Sequence, residues 1–288
     1  MLVHLFVRQH EDLVQVIFYA SVITMFWMLE RFICLHSPAE KRQHIFLNAK
    51  FILTALPIQL GLTTFVILII NWTNRNHWGL IYYVPWRHNV WLYYISLFLL
   101  LDLGEYTYHR VMHKIDMLWK FHLVHHSDMK VDISTTVREH PGETVVRVSF
   151  LMLWVFLLGP VVSVLMLRQV FQTFFNIMAH TEFRLPRRLN TVVGAIFITP
   201  NLHHVHHHYE LPYTDCNYGD VLSIWDRLFG TYQELSKNQV NFGIDTHMDV
   251  VPDSGFLAIL KIPFKKLERN KRSINHETDD KQESILRS

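Results

Sequence analysis

The residues of this chain with the clearest chemical potential are three clusters of regularly spaced histidines. The first cluster contains His109 and His113 in an HxxxH motif, and the second contains His122, His125 and His126 in an HxxHH motif. A step of three or four residues places two side chains on the same face of an α-helix, so each motif directs its imidazoles toward one point. Helices present metal ligands in this way.

The third cluster occupies residues 203–208, where only Val205 is not a histidine. It contains two overlapping HxxHH registers, and the spacing alone does not choose between them. The two registers are His203, His206 and His207, or His204, His207 and His208. Neutral imidazole favours iron, zinc, copper and nickel, and one tetrahedral zinc uses only four ligands. Eight or more converging histidines therefore predict a site with two metal ions.

The composition predicts an integral membrane protein. Half of the 288 residues are hydrophobic, only 18% are charged, and the apolar residues occur in long runs. The net charge of +2 argues against a nucleic-acid partner, because phosphate binding needs a concentrated basic surface. Cys34 and Cys216 lack a CxxC neighbour, so we expect no disulfide framework and no thiolate metal site, as suits a site facing a reducing cytoplasm.

Three apolar segments in the first part of the chain predict membrane-spanning helices, since a bilayer core requires about 20 apolar residues per helix. They are residues 13–29, 45–70 and 90–103. We interpret the first as a retained anchor, because it is longer than a signal-peptide core and lacks a small-residue cleavage site. Pro57 interrupts the second. The third continues without a break signal to His109, which should therefore lie on the extension of a membrane helix.

The apolar region 143–179 is too long for one ordinary span, and Gly159-Pro160 near its middle is a turn signal. We predict a helical hairpin with arms at residues 144–158 and 161–179, which returns His180 to the side from which the hairpin left. Arg147 and Arg168 make the arms imperfectly apolar. This favours a hairpin that is shallow or re-entrant within the protein, because a charge at the bilayer centre is costly.

The basic residues of the loops predict the orientation, because excess lysine and arginine marks the cytoplasmic side of a membrane. The connection between the first two spans carries four, against two in the next connection. The residues are Arg31, Lys41, Arg42 and Lys50 in the first connection, and Arg75 and Arg87 in the second. We therefore expect the N-terminus outside, and the histidine clusters and the C-terminus inside.

The segments around the histidines closely resemble the fatty acid hydroxylase and sterol desaturase superfamily of integral-membrane di-iron enzymes. The first two boxes are DLGEYTYHRVMH at residues 102–113 and LWKFHLVHHS at residues 118–127. The third box, TPNLHHVHH at residues 199–207, is followed by NYG and by IWDRLFGT at residues 224–231. The resemblance covers residues 90–232 with all boxes in order, which is far more specific than a single HxxxH motif.

The resemblance implies a ligand set of nine histidines. The family pattern Thr-Pro-x-x-His-x-Val-His-His selects the first register of the third box and leaves His204 where relatives usually carry arginine. The family often has a further ligand at the position of His180. The implied metal ligands are His109, His113, His122, His125, His126, His180, His203, His206 and His207.

Three further residues are expected to contact the metal ligands rather than the metals themselves, namely Asp102, Glu105 and His204. Metal-bound histidines usually donate their second N–H to a carboxylate or carbonyl, and we expect Asp102 to accept one such bond, with direct metal ligation as the alternative. Glu182 is the other carboxylate near the clusters. His140 begins an HPG sequence like that of a haem-binding cytochrome box, but Glu143 replaces the second glycine, so we expect His140 to be structural or to contact a metal ligand rather than to bind metal itself.

The activity that the resemblance implies is hydroxylation of an unactivated C–H bond of a lipid, using two iron ions, O2 and external electrons. Zinc is an alternative occupant in a purified or substituted form. The chain carries no haem, flavin, ferredoxin or dinucleotide motif, so we expect a cytochrome b-type, ferredoxin or pterin donor. No catalytic side chain is expected beyond the metal ligands.

Several other functions compete with this prediction. A sterol or lipid desaturase and an alkylglycerol-ether monooxygenase belong to the same superfamily, and the sequence from His180 to Glu182 resembles the second of these. A zinc-dependent membrane hydrolase would use the same histidines, but the chain lacks the glutamate of an HExxH motif. A metal transporter would place its ligands within the spans rather than at their ends.

The predicted fold is all-α, a multi-span integral membrane protein with a cytoplasmic helical cap that carries the histidine-rich dimetal site. Residues 1–89 would form an N-terminal membrane region with two spans, residues 90–232 the catalytic domain, and residues 233–288 a cytoplasmic tail. The expected location is the endoplasmic reticulum membrane of a eukaryote or the cytoplasmic membrane of a bacterium.

Overall fold

The computed structural model describes residues 38–244 and 255–266. The predicted span at residues 13–29 and the polar tail after residue 266 lie outside these residues. Within them the regular structure is helical, apart from two isolated antiparallel bridges, Phe197 with Leu222 and His208 with Phe242. The all-α prediction is confirmed for the described part of the chain.

The described residues form nine α-helices and five short 3-10 helices. The α-helices are α1 (Pro38–Arg75), α2 (Val90–Lys114), α3 (Asp116–His126), α4 (Pro141–Leu158), α5 (Val162–Ala179), α6 (Arg187–Val193), α7 (Pro200–His206), α8 (Ile224–Leu228) and α9 (Phe256–Leu260). The 3-10 helices are Leu80–Tyr83, Ile133–Val137, Tyr213–Asp215, Lys237–Gln239 and Ile262–Phe264.

Three helical segments of the described chain are long and apolar enough to cross a membrane, namely Ala39–Tyr83, Pro141–Leu158 and Val162–Ala179. The first contains the predicted span at residues 45–70, with Pro57 inside the continuous helix α1. Helix α2 runs from Val90 through His109 to Lys114 as the sequence predicted, but it is not among the three candidates. The span at residues 90–103 therefore stays a prediction.

The predicted hairpin is present as α4 and α5. Gly159 ends α4 in the left-handed region with φ of 70°, and a side chain at this position would collide with the carbonyl of Trp78. The two arginines of the arms are paired inside the protein: Arg147 contacts Glu139 at 3.0 Å, and Arg168 contacts Glu105 at 2.8 Å. These ion pairs explain how the arms carry charge within otherwise apolar helices.

The long helices run, in either direction, between two ends of the structure, and the histidines gather at one of these ends. At the opposite end, Asn74 of α1 donates to the carbonyl of Pro160 between the hairpin arms at 3.2 Å. At the histidine end, Arg138 donates to Asn48 of α1 at 3.1 Å. Because α2 and α5 run toward this end, His109 and the α5 cap residue His180 meet there.

This arrangement predicts that Asn76 and Lys130 lie on opposite sides of the membrane, since both side chains are exposed and they lie at opposite ends of the helices. The background for this test is Cys34→Ser, and Cys216 is buried. In sealed vesicles of known orientation, Asn76→Cys should react with an impermeant maleimide only from the side opposite the cytoplasm. Lys130→Cys and Lys237→Cys should react only from the cytoplasmic side. Labelling of all three from one side would contradict the membrane-crossing arrangement.

Candidate metal centre

Two groups of buried or half-buried histidines lie side by side, and together they contain all nine histidines of the predicted ligand set. In each group the candidate ligand atoms lie within 4.8 Å of one another. The first group is His109, His113, His122, His126 and His206, and the second is His125, His180, His203 and His207. Each group has enough imidazoles for one metal ion.

The HxxHH motifs join the two groups. In α3, His122 and His126 are one turn apart and belong to the first group, while His125 is rotated away and belongs to the second. The third box has the mirror arrangement, with His203 and His207 in the second group. Adjacent residues on a helix point about 100° apart, so the neighbouring histidines of an HxxHH motif can face two adjacent sites.

Local structure fixes the helices that carry these motifs. Ile115 alone separates α2 from α3, so the first two boxes are joined by a sharp turn. Thr199 caps the N-terminus of α7, where its Oγ1 accepts from the Leu202 amide at 3.3 Å, and Pro200 begins the helix. The Thr-Pro of the third box is thus a helix start signal.

Three histidines have their Nδ1 atoms fixed by main-chain carbonyls. A carbonyl oxygen only accepts, so each Nδ1 must carry the proton and, in the neutral ring, Nε2 presents its lone pair to the interior. The pairs are His109 with Tyr218 at 2.9 Å, His206 with Cys216 at 2.7 Å and His180 with Asn176 at 2.7 Å. This pattern is typical of metal-binding histidines.

Two further histidines of the first group contact carboxylates. His122 Nδ1 lies 2.5 Å from Glu143 Oε1, and His113 Nδ1 lies 3.3 Å from Asp215 Oδ1. With protons on both Nδ1 atoms and none on Nε2, the Nε2 lone pairs of His109 and His122 would face each other at 3.1 Å. Two lone pairs at this distance repel, and a cation between them removes the repulsion.

Other buried ring nitrogens of the two groups have no hydrogen-bond partner within the described part of the chain. They are His113 Nε2, both ring nitrogens of His126, His203 Nδ1, His206 Nε2 and His207 Nδ1. An unpartnered buried acceptor costs about 1–3 kcal/mol, so this number of them is unfavourable without a ligand. The all-imidazole donor set fits iron or zinc.

Burial favours the neutral form of most of these rings. It lowers the pKa of His180 to about 4 and that of His206 to about 3, with neighbouring histidines contributing to the shift in both cases. The pKa values of most other members of the two groups are also well below the ordinary value, again mainly through burial. These are His109, His113, His125, His126, His203 and His207. Neutral imidazole is the form that binds metals.

The structure separates the two registers of the third box. His203, His206 and His207 point into the two groups, whereas His204 and His208 lie outside them. His204 Nε2 donates to the carbonyl of Thr181 at 2.9 Å, and its Nδ1 accepts from Arg184 at 3.1 Å. His204 therefore stabilises the segment that follows His180 by hydrogen bonds.

The carboxylates near the clusters are used differently from what the sequence indicates. Asp102 Oδ2 accepts from Trp225 Nε1 at 2.8 Å and from the Leu222 amide at 3.3 Å, rather than from a clustered histidine. Glu105 pairs with Arg168, and Glu182 pairs with Lys41 at 2.5 Å. These contacts stabilise the packing of loops and helices around the site.

Glu143 is the carboxylate that sequence reasoning overlooked. It lies in the first turn of α4, which begins where His140 Nδ1 accepts from the Gly142 amide at 2.9 Å. This cap confirms a structural role for His140. The available signal was the replacement of a cytochrome-box glycine by an ionisable residue, but its contact with His122 spans 21 residues and requires the fold.

A cavity of about 680 Å³ borders both histidine groups. Its wall includes His109 and His122 of the first group, and His125, His180 and His203 of the second. Helix α1 contributes apolar side chains to the opposite wall. The volume is in the range of small-molecule and lipid-binding pockets.

Comparison with known proteins gives consistent results. The sequence model of the family described as fatty acid hydroxylase matches residues 94–231. The chain is 34% identical to alkylglycerol monooxygenase of Danio rerio over 164 residues, which cover 57% of this chain and 35% of that protein. It is 30% identical to ornithine lipid hydroxylase OlsE of Rhizobium tropici over 169 residues, 58% of this chain and 49% of that protein.

Human alkylglycerol monooxygenase is 32% identical over 166 residues, 57% of this chain and 35% of that protein. The matched region thus spans about half or less of these relatives. No solved structure gives a significant match to the chain.

The two registers of the third box predict different effects of single substitutions. His203→Ala should reduce bound metal sharply, because it removes an imidazole that lies 3.0 Å from His180 Nε2 within the second group. His204→Ala should retain most of the metal, because His204 contacts the main chain, Arg184 and Phe242 and lies outside both histidine groups. Metal per chain, measured by mass spectrometry on folded monodisperse protein, checks both. The reverse result would assign the ligands to the other register.

Proposed function

We propose that this protein is a membrane-bound di-iron lipid hydroxylase, because residues 94–231 match the fatty acid hydroxylase family model, in agreement with the histidine boxes. It would insert one oxygen atom from O2 into an unactivated C–H bond of a lipid, with electrons from an external donor. The observation that carries the proposal is the pair of histidine groups on the wall of one large cavity.

The nine clustered histidines would hold the two irons, five around one ion and four around the other. When bound, the iron pair supplies the one-electron chemistry that activates O2. The remaining contribution of the chain is positioning. The carbonyls of Tyr218, Cys216 and Asn176 fix the ring orientations, and Glu143 holds the proton of His122 at Nδ1, which increases the basicity of Nε2.

The cavity supports a lipid as the substrate. Its α1 wall is apolar apart from Gln59, and that helix is apolar enough to cross a membrane, so an acyl chain could approach the histidines along apolar side chains.

Cleavage of alkylglycerol ethers is a second candidate, and the similarity to alkylglycerol monooxygenases from several animals favours it. That reaction also begins with oxygen insertion at a C–H bond, so the same site would serve. Sterol or lipid desaturation is the third candidate. It differs in its product, which has two hydrogen atoms fewer than the substrate and no added oxygen.

We further propose that the histidine end of the protein faces the cytoplasm. The basic loop residues favour this orientation, and soluble electron donors of the cytochrome b, ferredoxin or pterin type would reach the site from there. The membrane would be the endoplasmic reticulum in a eukaryote and the cytoplasmic membrane in a bacterium.

Expression of the protein should change the lipids of the host membrane in an oxygen-dependent way. Comparison of lipid extracts by mass spectrometry should reveal species that gain one oxygen atom, and protein purified without air should contain two irons per chain. His125→Ala and His206→Ala should abolish the new species. Zinc as the sole metal, with lipid hydrolysis that proceeds without O2, would instead support a hydrolase.

Glu143→Gln should weaken iron binding roughly 10- to 100-fold, the usual effect of removing a carboxylate that holds a metal-bound histidine. The isosteric amide keeps the shape of the site but removes the negative charge 2.5 Å from His122 Nδ1. Competition with a chelator measures the affinity. Glu182→Gln is the matched control, because Glu182 pairs with Lys41 and should leave iron binding unchanged. Equal losses in both variants would argue against this role of Glu143.

A further inference from the structure

The cavity beside the histidines has two chemically different walls. Helix α1 lines it with apolar residues at steps of three or four, which form one stripe along the helix. This apolar stripe consists of Ile45, Ala49, Ile52 and Leu56. Ile52 and Leu56 are also 38% and 47% exposed on the outer surface, so the stripe leads from the cavity to the surface of α1.

Helix α5 lines the cavity with a stripe of polar residues at the same helical spacing, which we call the polar stripe. It consists of Gln169, Gln172, Thr173 and Asn176. At 1.5 Å per residue it extends from about 6 to about 16 Å from His180, measured along the helix. Polar residues inside a helix that can cross a membrane are costly and usually mark a substrate path.

Buried polar atoms without hydrogen-bond partners also line the cavity. Asn176 Nδ2 donates to Asp220 Oδ1 at 3.1 Å and the Gln172 side chain also interacts with the Asp220 carboxylate, but Asp220 Oδ2 is buried and has no close hydrogen-bond partner within the described residues. Thr136 Oγ1 and Glu143 Oε2 are buried and unpartnered in the same way, and all three residues line the cavity. A buried carboxylate oxygen without a donor is unfavourable, so a ligand that brings a hydrogen-bond donor would satisfy it.

From these two walls we infer that the cavity binds a lipid that carries a hydroxyl group or another hydrogen-bond donor within a few bonds of the oxidised carbon. Asp220 and the polar stripe receive the donor group, and the hydrocarbon tail lies along the apolar stripe and leaves past Ile52 and Leu56. A plain hydrocarbon segment would bury the polar stripe without satisfying it. The position of the oxidised carbon rests on the proposed hydroxylase function, whereas the donor site does not.

Binding to the protein as purified, in nanodiscs and without an electron donor, tests the inference without turnover. The probes are hexadecane-1,2-diol and 1,2-dimethoxyhexadecane, which share the chain but differ in hydrogen-bond donors. The diol should bind roughly tenfold more tightly, as expected for one or two hydrogen bonds to buried acceptors. Equal affinity of the two probes would overturn the inference, and this comparison needs no variant.

Substitutions locate the donor site. Gln172→Leu and Asp220→Asn should each weaken diol binding roughly three- to tenfold and leave binding of the dimethoxy probe unchanged. Leu167→Ala is the control on the same helix, since Leu167 is exposed and does not line the cavity. A diol preference that is intact in both cavity variants would contradict the assignment.

The outcomes separate this inference from the proposed function. If no lipid is oxygenated but the diol preference depends on Gln172 and Asp220, the donor site stands and the hydroxylase proposal fails. If lipids are oxygenated and the two probes bind equally, the hydroxylase proposal stands and the donor site is wrong.

Discussion

The structure depends on the burial of nine imidazoles whose ring nitrogens converge on two adjacent points. Burial lowers the pKa of most of these rings, so their lone pairs accumulate at two adjacent points and repel, as at the 3.1 Å separation of His109 and His122. Such an arrangement raises the free energy of the folded protein when no cation is bound. A cation at each point would replace the repulsion by attraction to the lone pairs. The surrounding helices and loops hold the rings against this repulsion.

One of the loops that hold the histidines in place contains Tyr218 and is itself fixed by hydrogen bonds. Asp226 accepts from the amides of Tyr218 and Gly219 at 2.7 and 2.9 Å, and this fixes the loop whose Tyr218 carbonyl orients His109. Thr231 donates to the same carboxylate. The segment after the third box, which carries no predicted ligand, therefore sets the orientation of a histidine in the first box.

Local signals in the sequence were sufficient for features that depend on helical spacing or on a turn. The HxxHH spacing predicted convergence of the histidines, and Gly159-Pro160 predicted the hairpin. Contacts between distant segments were not predictable, because spacing carries no information about them. Asp102 lies at the expected helical step below His109, yet it bonds Trp225, and Glu143 reaches His122 from another helix.

Asn176 connects the cavity wall with the second histidine group. Its carbonyl accepts from His180 Nδ1 at 2.7 Å, while its side chain donates to Asp220, the residue inferred to bind the donor group of the lipid. A rigid helix position that touches both sites would keep the inferred donor group of the lipid at a fixed distance from the candidate metal ligands. Precise placement of the target carbon is what selects one C–H bond among many of similar strength in a lipid chain. In the proposed reaction the polar stripe, rather than the apolar wall, would make that selection.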